Sequence, residues 1–230
     1  MSAHAQTGSP RLVFVLVGVA GFAVAPGATP GIAQDRAVVP AEQGAILEAA
    51  DRSRTKGSAE APIRIVEISD FECPFCEQFY RETYREIDSV YVDGGFVRYL
   101  WISFPNSRHP RAWPAIEAAF CAGAAGRFWE VHDILFEEQE EWIGAEDPGA
   151  LFREYANRAG VDLESFDRCV ASDLTAPLQV SDYDAALRSG ITSTPFFVVG
   201  DSVAIRGAVG LAEFRSAVDS VLSTRGHPVP

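Results

Sequence analysis

Cys73-Pro74-Phe75-Cys76 is the stretch of this chain whose residue types and spacing best suit covalent chemistry. A thiolate attacks disulfides, and a second cysteine one helical turn away on the same face can close or open a disulfide with it. The setting sharpens that reading. Upstream, Ile63-Arg64-Ile65-Val66-Glu67-Ile68 is a largely apolar, β-branched run after Pro62 and reads as a buried strand. Downstream, residues 77–90 are rich in Glu, Arg and Tyr, hold no Gly or Pro, and read as a helix. The cysteines therefore sit where a strand enters a helix. The first N–H groups of a helix lack partners and carry the positive end of its dipole, which lowers the pKa of a thiol placed there. Pro74 suits the first turn because it has no N–H to lose. A plain structural disulfide or half of a zinc site are the alternatives. A four-thiolate zinc site needs a second close pair, whereas Cys121 and Cys169 stand far apart. The strand–CxxC–helix context favours redox chemistry.

The elements that must position the pair can be read from the rest of the chain. Its 230 residues are 47% hydrophobic, ample for a core, and its net charge of −13 argues against nucleic acid and predicts only a self-repelling surface. Residues 1–33 read as a signal peptide. Arg11 precedes the uncharged run from Leu12 to Ala25, and the small residues Gly31 and Ala33 suit cleavage before Gln34. An uncleaved membrane anchor is the alternative. Export suits the cysteines, since disulfides persist in oxidising compartments. Residues 34–61 read as an N-terminal extension, with a short helix over 41–52 and a linker over 55–60. After an Asp93-Gly94-Gly95 turn, residues 96–102 read as a second strand, making a right-handed βαβ unit. From His109 to Arg188 the pattern is helical, with four or five helices between Gly and Pro breaks. Residues 195–200 and 202–206 read as two strands, and Leu211 to Ser223 as a closing amphipathic helix. The order is βαβ, helical block, ββα, an α/β class.

Three separated stretches carry a family likeness: "KGSAEAPIRIVEISDFECPFC", "AFCAGAAGRFWEVHDILFE", and "GITSTPFFVVG" followed by "IRGAVG". In this order they resemble the DsbA-like thiol:disulfide oxidoreductases of the thioredoxin superfamily, over about residues 55–225. The resemblance implies a thioredoxin fold across residues 62–225, with a helical insertion at about 106–190. It implies that Cys73 is the exposed nucleophile and Cys76 the buried resolving thiol. It implies a cis peptide at Pro195, with the backbone of Thr194 free to pair with an extended substrate. Glu67 matches the family's buried acid, which accepts or returns the proton of Cys76; an edge-strand Glu facing solvent is the alternative. An even cysteine count in an exported chain suggests a Cys121–Cys169 bridge, as in some exported relatives, against two separately buried thiols. Two features depart from the strongly oxidising pattern. Phe75 stands where those members place His, and the Glu72 carboxylate beside Cys73 opposes a thiolate. A milder oxidant is expected.

These readings describe an exported enzyme that donates its Cys73–Cys76 disulfide to reduced or unfolded proteins in the periplasm or cell envelope. It would need no cofactor or metal, and a quinone-linked membrane oxidase would reoxidise it. An extracytoplasmic reductase or isomerase is the rival within enzymes, although residues 34–60 are too short for the dimerisation domain of known isomerases. A copper or zinc chaperone would be expected to carry Met or His around the pair, and the only Met is the initiator. A peptide-binding chaperone with an incidental dithiol is a third rival. His132 reads as a hydrogen-bonded helix residue and His109 as a surface or cap residue. Glu137, Glu138, Glu140 and Glu141 read as a solvated face, and Phe128, Trp129, Phe136 and Trp142 as mostly core.

Overall fold

In the computed structural model, which describes residues 41–230, the β-branched run after Pro62 forms strand β2 (Ile63–Ser69). Its alternate residues Ile63, Ile65, Glu67 and Ser69 are all buried, as period-two geometry requires of one covered face. The expected signal peptide lies outside the described residues. Strand β3 (Val97–Ser103) pairs parallel to β2, with Tyr99 beside Ile65 and Trp101 beside Glu67. On the other side, β4 (Phe196–Val199) runs antiparallel to β2, and β5 (Val203–Arg206) antiparallel to β4. Thr55–Lys56, read as linker, is instead an edge strand, β1, antiparallel to β3. Two residues are too few to show any alternation. The sheet order among the described residues is β1-β3-β2-β4-β5, a thioredoxin fold.

Between β2 and β3 the chain takes one helical course: α2 (Pro74–Phe79), a π-helical turn (Tyr80–Tyr84), α3 (Arg85–Ile87) and a second π-helical turn (Asp88–Val92). Each π turn inserts a residue and rotates the helix beyond it. Phe79, Tyr80, Tyr84, Ile87 and Tyr91 thereby all remain buried. Phe79 packs on Phe197 of β4 at 4.3 Å between ring centres, and on Phe214 of α10 (Leu211–Thr224) at 5.1 Å.

The insertion holds α4 (Ala112–Ala124), α5 (Phe128–Glu137), α6 (Gln139–Gly144), α7 (Pro148–Arg158), α8 (Leu163–Ala171) and α9 (Ala176–Arg188). That is more than the four or five expected. The break between α5 and α6 falls at Glu138, with no Gly or Pro to announce it. Asp147 and Asp162 cap α7 and α8 by accepting from Ala150 N and Ser165 N. Helix α1 (Ala41–Ser53) lies on α4, and a Cβ at Gly123 would stand 2.5 Å from Ser53 Oγ, so glycine permits the approach. The buried Asp182 carboxylate on α9 accepts from Arg54 Nη1 at 2.5 Å, Ser103 N at 2.9 Å and Ser103 Oγ at 3.0 Å. It thereby fastens the insertion to the sheet. No helix among the described residues is long and apolar enough to cross a membrane.

Candidate active site

Strand β2 ends at Ser69, and four residues later Cys73 occupies the cap position of α2, with Pro74 in its first turn. The Cys73 carbonyl accepts from Cys76 N at 3.1 Å and Glu77 N at 3.2 Å. Cys73 and Cys76 are free thiols, and their surroundings divide them. A hydrogen bond from the Cys76 thiol, then one from the Thr194 side chain and the N–H groups of Cys76 and Phe75, outweigh burial at Cys73 and lower its pKa to about 6. Cys76 is fully buried, and burial first, then its hydrogen bond to Cys73 and that sulfur's negative charge, push its pKa well above the ordinary value. The Cys73 sulfur is thus favoured as a thiolate at neutral pH, and that of Cys76 as a thiol.

The expectation that Cys73 is exposed needs correction: it is 4% exposed. Its sulfur lies 3.6 Å from the Thr194 carbonyl oxygen, and the neighbouring Phe75, 60% exposed, takes the outward position instead. Thr194–Pro195 is a cis peptide immediately before β4. Glu72 also differs from expectation. Its carboxylate accepts from Arg111 N at 2.6 Å, rather than standing free beside the thiolate.

Polar groups drawn from several elements hold the loop before Cys73. Buried Asp70 accepts from Glu72 N and Asn106 N, each at 2.9 Å, and lies 2.6 Å from His109 Nδ1. His109, read as a surface or cap residue, instead braces the active loop from the start of the insertion. Gln139, at the start of α6, donates to the carbonyls of Phe71 at 2.6 Å and Cys73 at 3.2 Å. Sequence reasoning passed over Gln139, because a glutamine inside an acidic run carries no pattern.

Beneath the dithiol, Glu67 is 2% exposed and accepts from Tyr99 OH at 2.8 Å. Burial raises its pKa, opposed by the charge of His132, by the hydrogen bond from Tyr99 and by the nearby Ser69 hydroxyl. Ser69 beside them lowers the pKa of Cys76 too, and the Glu67 charge raises it. The carboxyl therefore points inward, within electrostatic reach of the thiol. Cys121 on α4 and Cys169 on α8 are joined, with sulfurs 2.00 Å and Cα atoms 5.8 Å apart. Neither is then a thiolate that could complete a zinc site with Cys73 and Cys76.

The family model described as Thioredoxin matches residues 49–220. The Na(+)/H(+) antiporter NhaA 3 of Salinispora tropica is 39% identical over 150 residues, 65% of this chain but only 22% of that protein. Its likeness is thus confined to a segment, and ion transport does not carry over. Disulfide bond formation protein D of Bacillus subtilis is 23% identical over 171 residues, covering 72% of this chain and 75% of that one. The crystal structure of alpha-DsbA1 from Wolbachia pipientis superposes with a TM-score of 0.67 at 22% identity, over 75% of this chain and 92% of that chain.

Proposed function

Since the chain belongs to the thioredoxin family, we propose that it is a DsbA-like thiol:disulfide oxidoreductase that donates the Cys73–Cys76 disulfide to protein thiols. The observation that carries this is the split between the two sulfurs. A client thiolate attacks the Cys73 sulfur, the Cys73–Cys76 bond breaks, and Cys76 leaves with the electron pair and takes a proton. A second client thiolate then attacks the client sulfur and releases Cys73 as a thiolate, so the client is oxidised and the dithiol reduced. A Cys73 pKa of about 6 stabilises that leaving thiolate and the reduced form, which makes the disulfide an oxidant. Thr194 beside the sulfur supplies backbone groups for an extended client, and Phe75 offers an exposed apolar contact.

The apolar run near the N-terminus supports export, with clients among exported proteins and a quinone-linked membrane oxidase as the source of oxidising equivalents. In the trapping test, Cys76→Ala removes the resolving thiol, so mixed disulfides with clients accumulate at Cys73 and are released by reductant. Cys73→Ala traps few. Equal trapping in the two variants, or none in either, on non-reducing gels would rule out the exchange role. Equilibration of the parent with glutathione measures whether it runs as oxidant or reductant.

A further inference from the structure

Asp and Glu outnumber Lys and Arg in this chain, 32 to 19, so an exposed arginine with no carboxylate beside it calls for an account. Arg206, the last residue of β5, is such a group. It is exposed and forms no salt bridge among the described residues. Its guanidinium lies over the Phe196 ring, 5.4 Å from the centre, and Phe196 is its partner across the β4–β5 ladder. Stacking uses the face of a guanidinium and fixes its place, while the N–H donors around its edge stay available to a planar anion.

Its place in the sheet ties it to the dithiol. Phe196 follows the Thr194–Pro195 peptide, and the Thr194 carbonyl oxygen stands 3.6 Å from the Cys73 sulfur. Gly207 N, next after Arg206, donates to the Pro195 carbonyl at 2.8 Å. Partner Cα atoms in an antiparallel pair are about 5 Å apart and successive strand residues about 3.3 Å, so the Arg206 backbone lies within about 12 Å of Thr194. Arg206 thus borders the segment against which a client reacting at Cys73 must lie. Arg64 offers a contrast. It too is exposed and without a salt bridge among the described residues, but it sits toward the far end of β2, four residues before Ile68, the partner of Phe196.

We propose that Arg206 is a specificity-determining residue, pairing with a carboxylate that lies one or two residues from the client's reacting cysteine. The proposal rests on the exchange chemistry at Cys73 and names its client class, an extended segment with Asp or Glu close to the thiol. Guanidinium and carboxylate match as a pair of parallel hydrogen bonds. A client strand added to the backbone at Thr194 turns successive side chains to opposite faces, so one of the two neighbouring positions is directed toward β5. The pairing acts on binding and orientation, and the bonds made and broken at Cys73 stay as described. Its direction opposes the charge of the whole chain. A protein of net charge −13, with Glu72 and Glu77 flanking the dithiol, would by charge alone favour a basic client. At physiological ionic strength charges beyond about 8 Å are largely screened, so a preference for an acidic neighbour reports the local guanidinium.

The test measures the second-order rate at which short cysteine peptides reduce the oxidised protein at about 0.15 M ionic strength. The peptides carry Asp, Asn or Lys one or two residues before or after the cysteine. Each rate is divided by that of the same peptide with hydroxyethyl disulfide, an uncharged small molecule, which removes the neighbour's effect on the thiol itself. For at least one placement Asp should exceed Asn by about three-fold, the size of an exposed ion pair. Arg206→Gln should abolish that preference, and Arg206→Glu should turn it toward Lys. Arg64→Gln removes the same charge at a distance and should leave it intact. No Asp preference at any placement, or one that survives Arg206→Gln, or one lost equally in Arg64→Gln, would overturn the assignment. A parent that no peptide reduces would sink the exchange reading, and the client class with it.

Discussion

Cys73 and Cys76 are three positions apart at one helix start, yet their surroundings drive them in opposite directions. Cys73 collects donors, whereas Cys76 meets chiefly burial, its bond to Cys73 and the negative charges of Cys73 and Glu67. A folded pKa of about 6 against an ordinary 9.0 makes the reduced protein's stability depend on pH. A depressed acid contributes stability that is complete above its unfolded pKa and is lost as pH falls through the folded one. Chemical denaturation of the reduced form should thus show stability falling, relative to the oxidised form, as pH drops from about 9 through about 6. The oxidised form carries every titrating group except the two thiols, so the rest cancel, and Cys76, with its raised pKa, contributes only at the alkaline end of this range. If the gap between the two forms does not change with pH, the thiolate is not stabilised as described. At this scale, residue type and spacing made the thiol pair legible, and the family resemblance pointed Glu67 inward. The burial of Cys73 and the orientation of Glu72 were not legible, because both depend on partners distant in sequence, Thr194 and Arg111.

Elements enter through the carbonyls and carboxyls that hold the loop before α2. Gln139 belongs to α6, yet its amide spans the Phe71 and Cys73 carbonyls. The Cys73 carbonyl keeps the N–H groups of Cys76 and Glu77 as partners, so deleting the amide orphans chiefly the Phe71 oxygen. Gln139→Leu should therefore cost about 1–3 kcal/mol of stability and slow exchange at Cys73, since the loop presenting the sulfur loses its brace. Denaturation and glutathione exchange measured on the same variant check this, and unchanged values in both would show that the brace does nothing. Strands β2 to β5 and helices α1 and α10 were legible, each to within a residue or two, whereas edge strand β1 and the bounds of the insertion's helices were not. The π turns and the α5–α6 break were not. Tyr80 and Tyr84 stay inward through an inserted residue that no pattern marks, and Glu138 is neither glycine nor proline.

Across the whole molecule, a thioredoxin sheet carries a helical insertion that supplies much of what surrounds the dithiol: His109, Arg111, His132 and Gln139. The insertion must stay seated for the site to keep its shape, and two kinds of tie hold it. One is polar and lies at the sheet, where Asp182 accepts from Arg54 and Ser103. The other is covalent and internal, the Cys121–Cys169 bridge between α4 and α8. With a sequence separation of 48, the chain-entropy account assigns that bridge about 4 kcal/mol, through the unfolded state. Buried Ile116, Phe120, Phe152 and Phe166 remain in one core cluster without it, so the folded insertion should persist when the bridge is gone. The double variant Cys121→Ser, Cys169→Ser should accordingly melt at a lower temperature, while glutathione exchange at Cys73 proceeds at the parental rate at temperatures where it is folded. The bridge lies on the α4–α8 side of the insertion and touches none of the groups that brace Cys73, so stability and exchange should separate. An unchanged melting temperature would show that the bridge constrains nothing. Loss of exchange in a folded variant would show instead that the seating of His109 and Gln139 depends on it.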